Sequence, residues 1–375
     1  STTEDVQTFL KYSYGVRGKQ IEIDMSTSHT ETVDVPSYWT KGLVRNTDTS
    51  TDYYKIQDAI DNASAGNTLH VWAWTYYENI EIDEKLTLIG NGTANTTING
   101  TWNRIIKISH EDVTLKNLKL VSGSNTTSSV YIDEEDAVLE GLEIHGGYQA
   151  IEVHGRYAKI SNSQVVGQSN SGIQVKAQGL NLEISNSIVR NSEGYGIYVE
   201  LGALYVNINN NSIHNNSNYG LRFQSYASTI SDNTIVDNDN WGMQVNGRTA
   251  DDQDNILRNN TILRNSHGVK LYKQDSVLYS NTIKDNEGYG LQIDTSSNIY
   301  LWNNTLSNND DEDISLTTSS TAYSIGTTFS TIEVSSDSIL TVKSYLDLDV
   351  NDASGDNMSG IDIKVMEDDV QKYAT

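Results

Sequence analysis

The chain has 375 residues and a formal charge of −25, from 50 acidic and 25 basic residues. It holds no cysteine, which excludes disulfides, thiolate zinc sites and thiol catalysis, and its acidity without a basic stripe makes it a poor binder of nucleic-acid phosphates. Apolar residues make up 36%, too few for one deep core, so a thin and elongated core is expected.

In chain order, residues 1–50 hold alternating stretches such as QIEIDM and TETVDV and are expected to form an N-terminal β extension. Residues 51–100 follow as a helical cap and first coils. Tyr54, Ile56, Ala59, Ile60 and Ala63 recur at near-helical spacing, which predicts a capping helix over 53–65 that stops at Gly66. Trp72 and Trp74 are expected to share a strand face and pack beneath that cap, with Tyr76 and Tyr77 as further aromatics of the same run. Residues 101–316 then repeat. The segments that begin at Asn162, Asn186, Asn211, Asn233, Asn260, Asn281 and Asn304 each read Asn, small polar, aliphatic, a polar turn, and a strand of period two. All but the last carry a glycine before that strand, at Gly172, Gly196, Gly220, Gly242, Gly268 and Gly290, spaced 22–26 residues apart.

Three short apolar strands per repeat predict a three-sided coil. One inward row begins with Ile173/Val175 and runs to Leu291/Ile293. A second is Ile188, Ile213, Ile235, Ile262, Ile283 and Leu306, and a third is Ile208, Ile230, Leu257, Leu278 and Leu301. Stacked coils about 4.8 Å apart place like residues above one another, so the Asn amides are expected to bond from coil to coil. Asn also suits a left-handed corner, and Gly a corner where a Cβ would clash. These ladders are therefore read as structural. Residues 317–375 alternate again around a turn at NDASGDNMSG and are expected to be a C-terminal β segment, part of an immunoglobulin-like sandwich.

The run from Tyr53 to Gly92, followed by N-x-I-x-x-N…G repeats, resembles the pectate-lyase-like superfamily. Within it the resemblance is to the NosD-like, carbohydrate-binding-and-sugar-hydrolase type of surface protein, of archaeal kind. It covers residues 51–316 and implies an all-β, right-handed parallel β-helix. It is specific for fold and not for function, since such proteins include polysaccharide lyases, epimerases and surface proteins.

The outward positions of the post-glycine strand give two rows. One is Glu152, Gln174, Tyr198, Arg222, Gln244, Lys270 and Gln292; the other is His154, Lys176, Glu200, Gln224, Asn246, Tyr272 and Asp294. From these, Tyr198, Glu200, Arg222, Gln244, Lys270 and Tyr272 form the candidate glycan-binding face. Uronate elimination or epimerisation would draw a cation from Arg222 or Lys270 and a base or acid from Tyr198, Tyr272 or Glu200. No catalytic residue is assigned. Ten Asn-x-Ser/Thr triplets, at Asn62, Asn91, Asn95, Asn99, Asn125, Asn210, Asn215, Asn259, Asn303 and Asn357, are candidate N-glycosylation sites and would imply export. A start at Ser1 fits a processed or trimmed chain.

No organic cofactor is expected. Calcium is an alternative at Asp251–Asp254 or Asp310–Asp313, and copper or zinc at His145 and His154, against the plainer reading of solvated side chains. The expected function is a secreted cell-surface structural protein: an S-layer, sheath, filament or adhesin subunit that self-assembles, by β-strand addition among other routes. The competing expectation is a lyase, epimerase or glycan binder. Glycans are the expected small partners, and neither nucleic acid nor a membrane span is expected.

Overall fold

The computed structural model describes residues 43–101, 103–247, 254–273, 275–296 and 298–343, together with the backbone of strands Lys364–Glu367 and Val370–Ala374. The expectations for residues 1–42, Asp251–Gln253 and Asn357 lie outside the described residues.

One coil shows why the sequence folds as it does. Asn207–Asn209 is a strand of the first sheet with Ile208 inward. Asn210 turns the chain at a φ of 52°. Ser212–His214 enters the second sheet with Ile213 inward, and Asn215 turns it again at a φ of 55°. Leu221–Phe223 forms the third sheet with both end residues inward, and the chain returns to the first sheet at Thr229–Ser231. Each strand of this coil pairs parallel and in register with its partner in the next: Ile208 faces Ile230, Ile213 faces Ile235, and Leu221 faces Met243. The three sheets contain 15, 11 and 12 strands, so the column rises on the order of 60 Å at about 4.8 Å per coil. Its core is one continuous apolar cluster from Val44 to Ala322.

Two asparagine ladders run through the column. In the first, Nδ2 of Asn211, Asn233, Asn260 and Asn281 donates to Oδ1 of Asn233, Asn260, Asn281 and Asn304 at 2.9–3.0 Å. In the second, Asn216, Asn238, Asn265 and Asn286 donate likewise to Asn238, Asn265, Asn286 and Asn309. The two tasks expected of asparagine fall on different residues. The ladder members are buried, and the left-handed corners belong to the residue before each, such as Asn210, Asp232 and Asn259. Asn162 and Asn186 are corner residues, at a φ of 51°, and Ser163 and Ser187 take the ladder positions. The second inward row therefore holds Val189, not Ile188: Val189 pairs with Ile213, while Ile188 pairs with Ser212 and is half-buried.

Glycines before the third sheet are needed for closeness. A Cβ on Gly220 would lie 2.6 Å from Ile235 Cγ2 and 2.7 Å from both Asn238 Nδ2 and Gly242 O.

The two ends differ from expectation in three ways. First, the capping helix is only Ile56–Asp61, because Lys55 offers it no side-chain cap and Asn62 closes it before Gly66 is reached. Its free N–H groups are capped from elsewhere: the Glu78 carboxylate accepts from Ile56 N at 3.0 Å and Gln57 N at 3.1 Å. Beside it, Val44–Asn46 adds antiparallel to Asn67–Val71 and covers the start of the first sheet. Second, Trp72 and Trp74 do not share a strand face. Trp72 follows strand Asn67–Val71 and packs on His70 at 4.7 Å, whereas Trp74 opens the next strand and is exposed. Tyr76 is the buried member and donates to Leu43 O at 2.8 Å; burial raises its pKa above the usual tyrosine value. Third, the coils do not stop at residue 316. Thr321–Ile325, Ile332–Val334 and Ile339–Lys343 continue the sheets in parallel register, so period two there marks coil strands and not a sandwich. The antiparallel hairpin of Lys364–Glu367 and Val370–Ala374 is the remaining described part of the tail.

Candidate functional site

The two outward rows stand where the spacing places them, on the third sheet. Glu152, Gln174, Tyr198, Arg222, Gln244, Lys270 and Gln292 are successive register partners. Asn246, Tyr272 and Asp294 pair in the same way in the second row.

Beside these rows runs a feature the sequence reading missed. The residue before each repeat glycine is aromatic in five consecutive coils: Tyr195, Tyr219, Trp241, His267 and Tyr289. Tyr195 stacks on Tyr219 at 5.6 Å, Trp241 on His267 at 4.5 Å, and His267 on Tyr289 at 5.8 Å. Its signal in the sequence is an aromatic–Gly dipeptide repeated once per coil. The row spans four coil steps, roughly 19 Å.

Two cations lie over it. Arg222 Nη1 donates to the Tyr195 hydroxyl at 2.6 Å, and its guanidinium carbon lies 5.3, 5.2 and 5.9 Å from the rings of Tyr195, Tyr198 and Tyr219. Arg222 Nε is buried and has no hydrogen-bond partner among the described residues. Lys270 Nζ lies 5.7 Å from the Trp241 ring. Burial lowers the pKa of His267, and its Nδ1 accepts from Tyr289 N at 3.1 Å, so at neutral pH it is a neutral ring that stacks.

The groups expected to act as base or acid are engaged with neighbours. Tyr198 donates to Gln224 Oε1 at 2.9 Å, and burial, partly offset by Arg222, pushes its phenol up from the ordinary value. Glu200 accepts from Gln174 Nε2 at 2.6 Å and Lys176 Nζ at 2.8 Å. Tyr272 carries Lys273 over its ring at 5.0 Å. Gln244 stands between Arg222 and Lys270 in the register. The face is therefore built for stacking and cation contact, and its charges are partly spent on each other.

The metal expectations do not converge. His145 Nε2 meets Glu143 Oε1 at 2.6 Å on the second sheet, and His154 Nε2 meets Glu152 Oε1 at 3.1 Å beside the third. Among the described residues no group of three His, Asp or Glu side chains is placed to hold a metal ion. Asp313 is buried and structural: it accepts from Asn309 Nδ2 at 2.8 Å and Ser330 N at 2.7 Å. Of the described sequons, Asn62, Asn91, Asn95, Asn125, Asn210, Asn215, Asn259 and Asn303 are exposed, and Asn99 is half-buried in a strand.

Parallel coils with left-handed corners and buried amide ladders define a parallel β-solenoid. Residues 104–252 and 247–329 match the model of the family described as right handed beta helix region, and the chain belongs to that family. A stretch of 117 residues is 30% identical to a cell surface glycoprotein of Methanothermus fervidus; it covers 28% of this chain and 19% of that relative's length. Among solved structures, the A-module of a mannuronan C-5 epimerase of Azotobacter vinelandii aligns with a TM-score of 0.63 at 18% identity, over 81% of this chain and 95% of its own. The catalytic unit of an alpha-1,3-glucanase of Streptomyces thermodiastaticus aligns with a TM-score of 0.63 at 14% identity, over 76% and 63%. These structural likenesses carry the fold alone.

Proposed function

We propose that the chain is part of an exported cell-surface structural protein, in which a rigid column spaces or joins other modules. The observation that carries this reading is the column itself: one stack of three long sheets around a single continuous apolar core. The cell surface glycoprotein of Methanothermus fervidus supports the location. Assembly with identical subunits, into a layer, sheath or filament or as an adhesin stalk, would use the strand ends at Ile332–Val334 and Ile339–Lys343. These lie at sheet edges and leave Ile332, Val334, Ile339 and Val342 exposed. Immunogold labelling of native envelopes tests this. Label on regular surface material is expected, and label confined to the cell interior overturns it.

A second reading has its own observation. The aromatic row beside Arg222 and Lys270 would hold an extended glycan, with its sugars along the half-buried rings of Tyr195, Tyr219, His267 and Tyr289 and an acidic group at the cations, while buried Trp241 serves the stack itself. Calorimetric titration with a panel of neutral and acidic polysaccharides should give binding that Tyr219→Ala weakens about tenfold or more, equal to about 1.4 kcal/mol. Binding unchanged by that substitution counts against this reading. Turnover is a separate question: the lyase or epimerase alternative requires unsaturated uronate or an altered uronate ratio, lost in Arg222→Ala.

A further inference from the structure

Three of the sequons share one structural grammar. In Asn210-Asn211-Ser212, Asn259-Asn260-Thr261 and Asn303-Asn304-Thr305, the first residue is an exposed corner at a φ of 52°, 54° and 52°. The middle residue is a buried member of the first amide ladder, and the third faces outward on the second sheet. The three asparagines therefore lie on one ridge, the corner between the first and second sheets.

They also lie in alternate coils. The corners between them are Asp232 and Ser280, at a φ of 59° and 54°, each followed by a ladder Asn and an outward Thr. At these two positions only the modifiable amide is missing. Asp232 accepts from the next corner, Asn259 Nδ2, but an asparagine would serve there as well: it tolerates a left-handed corner, and the Asn186 oxygen accepts from Asn210 in the same way. Neighbouring corners stand about 4.8 Å apart, too close for a sugar on each; alternate corners stand about 9.6 Å apart, which leaves room.

We infer that Asn210, Asn259 and Asn303 are N-glycosylated and form a glycan ridge along this corner. In the transfer, a bond forms between the asparagine Nδ2 and the anomeric carbon of a lipid-linked sugar phosphate. The bond from that carbon to the phosphate oxygen breaks, the phosphate leaves with the electron pair, and the amide proton passes to a base of the transferase. Nδ2 carries two hydrogens, so the contacts from Asn210 to Asn186 Oδ1 at 2.7 Å and from Asn259 to Asp232 Oδ1 at 3.1 Å are kept through the second. This is the one corner that does not border the third sheet, so the ridge leaves the aromatic row bare.

The inference rests on the export reading, and the test separates the two. Native protein is isolated from envelope and interior fractions and its peptides are weighed. Glycan mass is expected on all three ridge asparagines and none on Asn99. In the producing cells, Ser212→Ala, Thr261→Ala and Thr305→Ala should each remove one glycan, from its own asparagine alone. Bare ridge asparagines on envelope-located protein overturn the ridge and leave the surface reading standing. Bare asparagines on protein found only inside the cell overturn both. Equal occupancy of Asn99 overturns the argument from corner geometry.

Discussion

Asn233 uses every hydrogen-bonding position it has. Its amide donates to Ile208 O at 2.9 Å and Asn260 Oδ1 at 3.0 Å, and its oxygen accepts from Asn211 N at 2.9 Å and Asn211 Nδ2 at 3.0 Å. Replacing it with leucine keeps much of the volume and leaves those four buried partners short of a bond. Each unsatisfied group costs about 1–3 kcal/mol. Asn233→Leu should therefore lose about 3 kcal/mol or more, in the upper range for one substitution. Asn186 is also an asparagine of the repeat, but it is an exposed corner at a φ of 51°. There Asn186→Ala should lose only about 1–2 kcal/mol, the penalty for a left-handed alanine. Urea unfolding of the two variants checks the order. Equal losses would mean that the ladder amides contribute no more than corner conformation does.

At the scale of elements, each ladder and each helix must end on something. The second ladder ends on Asp313, whose carboxylate receives Asn309 Nδ2 and Ser330 N. The helix Ile56–Asp61 starts on Glu78, which lies 22 residues further along the chain from Ile56. Glu78→Ala should cost about 1 kcal/mol, as loss of a helix cap does. It should speed amide exchange of Ile56 and Gln57 while leaving Asn233 unchanged; slowed or unchanged exchange at Ile56 would remove Glu78 from this role. The same residues show what the sequence could and could not disclose. Rows built from one repeated residue type, such as Ile208, Ile230 and Leu257, were legible because register makes like stack on like. The register at Asn162 and Asn186 was misread by one because serine replaces asparagine in the ladder there, and the nearest asparagine is the corner. The contacts of Glu78 and Asp313 were illegible, since a carboxylate that caps a distant backbone leaves no periodic mark. The coils after 316 carry a weaker mark, because Ser324 fills the inward position that Leu301 holds in the coil before.

For the whole molecule, the decisive fact is that each coil touches only the coils next to it, so stability is a sum of neighbouring interfaces. Such a column unfolds from whichever end is least held. At the start, Val44–Asn46, the helix and buried Tyr76 cover the first coils. At the last described coil, Ile339 is 61% exposed and Val342 is 55% exposed, and Ile332–Val334 is exposed throughout. The middle coils, by contrast, bury Ile184, Ile208, Ile230 and Leu257 almost completely between neighbours on both sides. Native-state hydrogen exchange in rising denaturant should therefore release Ile332–Val334 and Ile339–Lys343 first, then earlier coils in order, with strands near Ile208 and Ile230 among the last. Capture of a second copy at the edge strands Ile332–Val334 and Ile339–Lys343 would protect them as protein concentration rises, which ties this gradient to the assembly reading. If all coils instead exchange together at one denaturant concentration, the column is a single cooperative unit, and the difference between its two ends has no part in how it assembles.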